Sequence, residues 1–255
     1  LPTGGSTTTQ ESTTATTRPT TTSTATSPCG GEFSEDGELL SASTTGDARR
    51  ISTLRTEQDN GCEEFVIGLT TDSGAPATSV GNLNVEFKRD LGVVRISFPT
   101  ITETSITDVL LESPFIDRAY VVRGDDGSLF VDALLSAPAV ARAEIVQSPA
   151  RVVIVLESGG PALSQPAVTG ESVVVLSPRA GDITYPIQVA GYVRSTVRTI
   201  PVDLLEEDQV IDQQRATVAD GGDTWGTFGA TIESGPSGDL RVAVGQDVSI
   251  DITVR

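Results

Sequence analysis

Thr70-Thr-Asp72-Ser73-Gly74-Ala75 is the segment of this sequence that comes nearest to a chemical motif. An Asp-Ser-Gly loop suits a carboxylate that shares a proton with a second one, and that chemistry needs a matching partner loop. No second copy occurs, and Thr71 stands where an apolar residue would lead into the Asp, so the segment reads as a turn ending a strand. The chain has no His, which removes Ser-His-Asp and Cys-His nucleophile systems. A Ser-Lys pair would have to use Lys88, which sits beside Arg89 in an alternating run and reads as a solvated side chain. Paired-carboxylate glycoside hydrolysis has acids enough but needs two of them to converge in a cleft. Aromatics for a sugar platform are few: one Trp, three Tyr and seven Phe. No residue is assigned a catalytic role.

Asp125-Asp126-Gly127 and Asp220-Gly-Gly-Asp223 place carboxylates where a calcium loop would, but without its alternating Asp spacing. Turn chemistry explains both, since Asp tolerates tight backbone and Gly supplies positive φ. The expectation is therefore no metal and no cofactor. Cys29 and Cys62 form an even pair. They read as one disulfide closing a loop of about 30 residues, or alternatively as two free thiols. Trp225 and Phe228 read as core side chains of a small sandwich, with an exposed aromatic anchor as the other reading.

The elements that must position these residues are strands. Phe65–Leu69, Leu83–Arg89 and Val93–Phe98 are short β-type runs. Ala119–Arg123 and Ser128–Leu135 follow, joined across the hairpin turn Gly124-Asp-Asp-Gly127. Ala143–Gln147 and Arg151–Leu156 close this region. Residues 106–117 are the one place where a short helix or a turn fits. Gly and Pro then cluster over 159–170, which reads as an interdomain linker. Beyond it, Val173–Ser177 ends at Ser-Pro, a Gly-Asp turn follows, and Ile187, Val189 and Gly191 alternate behind Pro186. The fold class is all-β, with domains at 29–158 and 171–255.

Residues 1–28 contain 13 Thr, 4 Ser and Pro at 2, 19 and 28, with almost no large apolar side chain. Such a stretch cannot bury enough surface to offset its ordering entropy and is expected to be a disordered stalk, bare or glycosylated. The balance of 17 basic against 35 acidic residues leaves no basic face for nucleic acid. Both domains are acidic, at −11 for 29–158 and −7 for 171–255 by residue count. No run approaches the roughly 18 apolar residues of a membrane span. The lack of Met leads to the expectation that a leader or lipid anchor lies upstream of Leu1.

The 171–255 region resembles the immunoglobulin-like domain of bacterial spore germination proteins, the Gmad family. The resemblance is carried by Ser177-Pro178, Gly181, Pro186, Val189 and Gly191, then by Val202–Val210, Trp225-Gly-Thr-Phe228, Leu240–Val244 and Val248–Val254. Residues 29–158 are similar to the AMIN-like domains of actinobacterial envelope proteins. Here the residues are Phe65–Leu69, the hairpin around Asp125-Asp126-Gly127 and Pro149–Leu156. The stalk, the cysteine pair and two all-β domains without a catalytic set lead to the expectation of a non-catalytic extracellular or cell-envelope protein, and the resemblances imply the class of partner it binds. The partner is a wall glycan such as peptidoglycan, or else another envelope protein in a scaffold or spore-germination-type assembly. An exposed aromatic groove would favour the glycan, and an apolar patch or unprotected strand edge the protein.

Overall fold

The structure, a computed structural model, describes residues 29–59, 62–163, 165–194 and 198–255. The 1–28 stalk lies outside the described residues. The N-terminal domain runs β1 (Gly37–Ala42), β2 (Arg50–Asp59), β3 (Cys62–Thr70), β4 (Leu83–Lys88), β5 (Val93–Phe98), β6 (Glu103–Thr104), β7 (Asp108–Leu110), β8 (Ile116–Arg123), β9 (Leu129–Leu135), β10 (Ala139–Val146) and β11 (Arg151–Ser158). The C-terminal domain runs β12 (Val168–Thr169), β13 (Val173–Ser177), β14 (Gly181–Ile183), β15 (Ile187–Val193), β16 (Thr199–Glu206), β17 (Gln209–Val218), β18 (Trp225–Ile232), β19 (Gly238–Val244) and β20 (Val248–Val254).

In the first domain a sheet ordered β10-β11-β3-β2-β6 faces a second ordered β1-β4-β5-β9-β8, with β7 beside β8. Alternation decides which side chains fill the space between them. Leu83, Val85 and Phe87 of β4 are buried while Asn84, Glu86 and Lys88 are half-buried. In the second domain β12, β13, β15 and β18 pack against β17-β16-β19-β20-β14 around a core that includes Val189, Val202, Phe228, Val242 and Ile250. The two architectures are sandwiches, as expected from period-two runs punctuated by Gly and Pro. At Gly191 the β13 backbone leaves no room for a side chain: a Cβ there would sit 1.9 Å from the Val174 carbonyl oxygen.

The 106–117 segment corrects the idea of a helix. It contains β7 and a turn that leads into β8, and the only helical turn among the described residues is a 3-10 turn at Arg89–Leu91. The reason is Glu63, fully buried on β3, whose carboxylate accepts from Ser113 Oγ (2.5 Å) and Phe115 N (3.0 Å). Those bonds hold the turn down in place of helical ones.

Cys29 and Cys62 are joined in a disulfide that spans 33 positions of sequence, with Cα atoms 5.6 Å apart. It ties the start of the domain to β3, over a small cluster with Phe33, Val66, Val153 and Val155. Replacing both by Ser should lower unfolding free energy by about 3 kcal/mol, because the reduced chain regains loop entropy when unfolded. A urea midpoint unchanged from the parent would contradict that.

Asp47 fastens the loop before β2 to the one before β4. Its carboxylate accepts from Thr78 N and Oγ1 and from Ser79 N and Oγ, at 2.8–3.1 Å. The Ser79 and Thr78 backbone N–H groups hold its pKa well below the usual carboxylate value. A depressed carboxylate contributes stability above the unfolded-state pKa of 3.8 and loses it as pH falls toward the folded value. Asp47→Asn should therefore flatten the acid limb of the stability–pH curve below pH ~4. Parallel limbs for parent and variant would refute the assignment.

Candidate functional site

The sequence motifs land mostly in turns. Thr71–Ala75 closes on itself through Thr71 N to Ala75 O (2.9 Å) and Gly74 N to Thr71 O (3.0 Å), with Asp72 exposed. Lys88 pairs with Glu86 at 2.8 Å on the same strand. The β8–β9 turn is closed by Gly124 N to Ser128 O (3.0 Å), and Asp126 Oδ1 accepts from Ser128 N and Oγ. The Ser128 hydroxyl, then its N–H, lowers the Asp126 pKa.

The turn holding Asp125 and the turn holding Asp220 and Asp223 face each other. They line one cleft of about 490 Å³ with Arg123, at the junction of the two domains. Arg123 donates to Thr102 O (3.1 Å) and Gly127 O (2.8 Å) there. Asp125 Oδ1 accepts from Thr227 Oγ1 across the junction (3.4 Å), and Asp220 Oδ1 from Gly222 N (3.1 Å). Among the described residues no group of three or more metal-binding side chains is placed to hold an ion. Asp126 and Asp220 accept hydrogen bonds within their own turns, and Asp125 accepts one from the facing strand β18.

The junction itself is a seam of packed apolar side chains around a polar network. Because β5, β8 and β9 alternate, one set of their side chains fills the domain's own core and the other faces outward. Val93, Tyr120, Val122, Phe130 and Leu134 form that outward set, and they are covered by Val174, Leu176, Tyr192 and Trp225 of the second domain. Trp225 is buried, as its core reading predicts, but between the domains; it is Phe228 that fills the C-terminal sandwich. The Tyr120 ring meets Trp225 edge-on at 5.0 Å, and burial pushes the Tyr120 hydroxyl pKa up to about 12. Backbone pairing crosses the seam too, with Trp225 and Gly226 of β18 running parallel to Val122 and Arg123 of β8. Thr224 Oγ1 donates to Val121 O (2.5 Å) at the same point, and Arg179 reaches Leu91 O (2.5 Å).

At the centre of the seam Arg95 donates to Asp132 Oδ1 (2.8 Å) and Oδ2 (2.7 Å), and to Tyr192 Oη (3.1 Å). The Tyr192 hydroxyl donates in turn to Asp132 Oδ2. Asp132 is fully buried. Burial opposes the Arg95 charge, but the Asp132 carboxylate outweighs it and holds the guanidinium pKa above its ordinary value. Burial, then the Asp132 charge, drives the Tyr192 pKa well up, so its proton stays in the network. Arg95 and Asp132 belong to the first domain and Tyr192 to the second, so the triad is a polar lock. Sequence reasoning passed over it, although an Asp inside the apolar run Leu129–Leu135 is the signal that finds it.

The surface shows an opposite arrangement on β17. This strand pairs with β16 from Gln209 to Thr217 apart from Ile211, but with β18 only through Thr217 and Val218. Residues 209–216 thus form a sheet edge with no strand beside it among the described residues. A register shift leaves Ile211 bulged between Val210 and Asp212. Two consecutive apolar residues consequently face solvent, Val210 at 53% and Ile211 at 40% exposure. All the aromatic side chains, by contrast, are buried or half-buried.

Residues 172–250 match the family model described as Gmad2, the immunoglobulin-like domain of bacterial spore germination. The match spans nearly all of the C-terminal sandwich and stops short of the N-terminal one. No curated protein and no solved structure matches the chain.

Proposed function

We propose that this chain is a non-catalytic scaffold of the bacterial cell envelope that recruits another protein through its immunoglobulin-like domain. An AMIN-like domain is joined to that module, and the 1–28 stalk holds the pair away from the surface to which it is attached. The observation that carries the reading is the open β17 edge with Val210 and Ile211 exposed on it. Sheet edges accept extended segments from partners through main-chain hydrogen bonds. Soluble proteins ordinarily cover such edges or blunt them with Lys, Pro, other charges or a bulge; residues 209–216 carry no Lys or Pro, and their bulge at Ile211 leaves two apolar side chains facing solvent. The Gmad2 match supports an interaction module of an envelope or spore-germination-type assembly. The intramolecular disulfide is compatible with an oxidising, extracellular compartment. No helix among the described residues is long and apolar enough to cross a membrane.

Binding to a wall glycan is the competing reading. It is the less favoured because Phe33, Phe115 and Tyr185 are half-buried and every other aromatic side chain is buried, so none stands fully exposed as a stacking platform. Co-sedimentation of the chain with purified peptidoglycan across a salt series, run beside crosslinking in native envelopes, separates the two. Crosslinked protein adducts with no retention in the peptidoglycan pellet are expected. Salt-resistant pelleting without adducts would replace the scaffold by a glycan-binding module.

A further inference from the structure

We infer that the β17 edge takes a cationic extended segment of its partner, added as one more strand beside Gln209–Ala216; this rests on the scaffold reading above. The backbone provides the first half of the specificity. Across 209–216, alternate residues turn their N–H and C=O groups away from β16, and no strand meets them among the described residues. The other end of the same sheet is β14, which pairs with β20 over Gly181–Ile183 and at three residues is too short to seat an extended segment of this length. Docking is thereby directed to the β17 side.

Charge provides the second half. The β16–β17 hairpin carries Asp203, Glu206, Glu207, Asp208 and Asp212 against a single cation, Arg215. Asp208 is met by Arg241 at 2.7 Å, and Asp203 only by the neutral Gln213 amide at 2.8 Å. Glu206 and Glu207 project from the exposed tip next to Val210 and Ile211. An incoming strand therefore meets an apolar pair flanked by carboxylates. The segment that fits has Lys or Arg at alternate positions and β-branched apolar residues between them. A second copy of this chain would bring an identical acidic hairpin to the edge, which like-charge repulsion disfavours.

The test uses the full chain and two capped octapeptides, one alternating Lys with Val and the other Glu with Val. The Lys peptide is expected to bind and to slow amide exchange at 209–216 by about tenfold or more, while the Glu peptide does neither. Binding should weaken as salt screens the carboxylates. The double variant V210K/I211K alters only exposed side chains and should keep the parental melting temperature while losing the peptide. Equal binding of both peptides, or protection elsewhere, overturns the inference. So does concentration-dependent dimerisation of the parent that V210K/I211K dissolves, which would make a second copy the occupant. If envelope crosslinking yields the same adducts from V210K/I211K as from the parent, the scaffold stands and this edge is not its site. If neither yields adducts, the scaffold reading itself fails.

Discussion

Asp132→Ala should destabilise this protein by about 3 kcal/mol, the low end of what removing one partner of a buried ion pair costs. The low end applies because the Arg95 side chain keeps a quarter of its surface exposed and recovers some solvation. The Tyr192 hydroxyl recovers nothing, being buried and left without the Asp132 carboxylate that accepts its proton. Tyr192→Phe keeps the ring packed against Phe130 and removes only the hydroxyl, for a cost of about 1 kcal/mol. Urea unfolding of the two single variants and the double one gives the coupling between them. A coupling above about 0.5 kcal/mol is expected for groups in one network. If Asp132→Ala shifts the midpoint by no more than an ordinary surface change, the triad does not hold the domains together.

The residues of this lock show where sequence reading succeeds and where it stops. Leu129–Leu135 is legible as a strand, and its all-apolar look apart from Asp132 is the mark of a strand covered on both faces. Which domain covers the second face is not encoded in the strand's own period. It depends on Tyr192 and Trp225, tens of residues away, arriving from another sandwich. The polar strand β2, in which Ile51 and Leu54 are the buried side chains among those described, lacks the apolar run that made its neighbour β3 readable. Its place is set by pairing with β3. The helix considered for 106–117 fails for a comparable reason, since the Glu63 carboxylate on β3 supplies the bonds that shape the turn.

The candidate surface was legible in kind but not in position. Val202–Val210, one of the segments that carries the resemblance, forms the end of β16, a turn at Glu207-Asp208 and the start of β17. Nothing in Gln209–Ala216 distinguishes an edge from an interior strand, because the departure of β18 after Thr217 is a property of another segment. The acidic turns at Asp125 and Asp220 were each visible, and their meeting in one cleft was not. The segment 159–170 reads as a tether, yet Val168 and Thr169 pair with β13, and Arg89 Nη1 donates to Pro161 O at 2.8 Å. The segment is fastened at both ends, consistent with two domains that share a seam.

Trp225→Ala should therefore do something that a C-terminal core deletion does not. Both should cost about 3–5 kcal/mol, as deletion of a large buried aromatic does. Trp225 contributes the edge-on contact with Tyr120, an Nε1 hydrogen bond to Asp108 Oδ1 at 3.3 Å and the side chain above the parallel β18–β8 pairing. Phe228, three residues on, lies wholly within the second sandwich. Loss of Trp225 should split urea unfolding into two transitions and expose 159–170 to protease, because the seam opens while each core stays packed. Phe228→Ala should lower the stability of the C-terminal sandwich and leave the junction closed until that sandwich unfolds. Trp225→Phe retains the aromatic contact and gives up the Asp108 bond, so its cost should fall to about 1–2 kcal/mol without splitting the transition. A single cooperative transition in Trp225→Ala, with protease sensitivity like the parent, would mean that the backbone pairing and the Arg95–Asp132–Tyr192 lock suffice to join the domains without the aromatic seam.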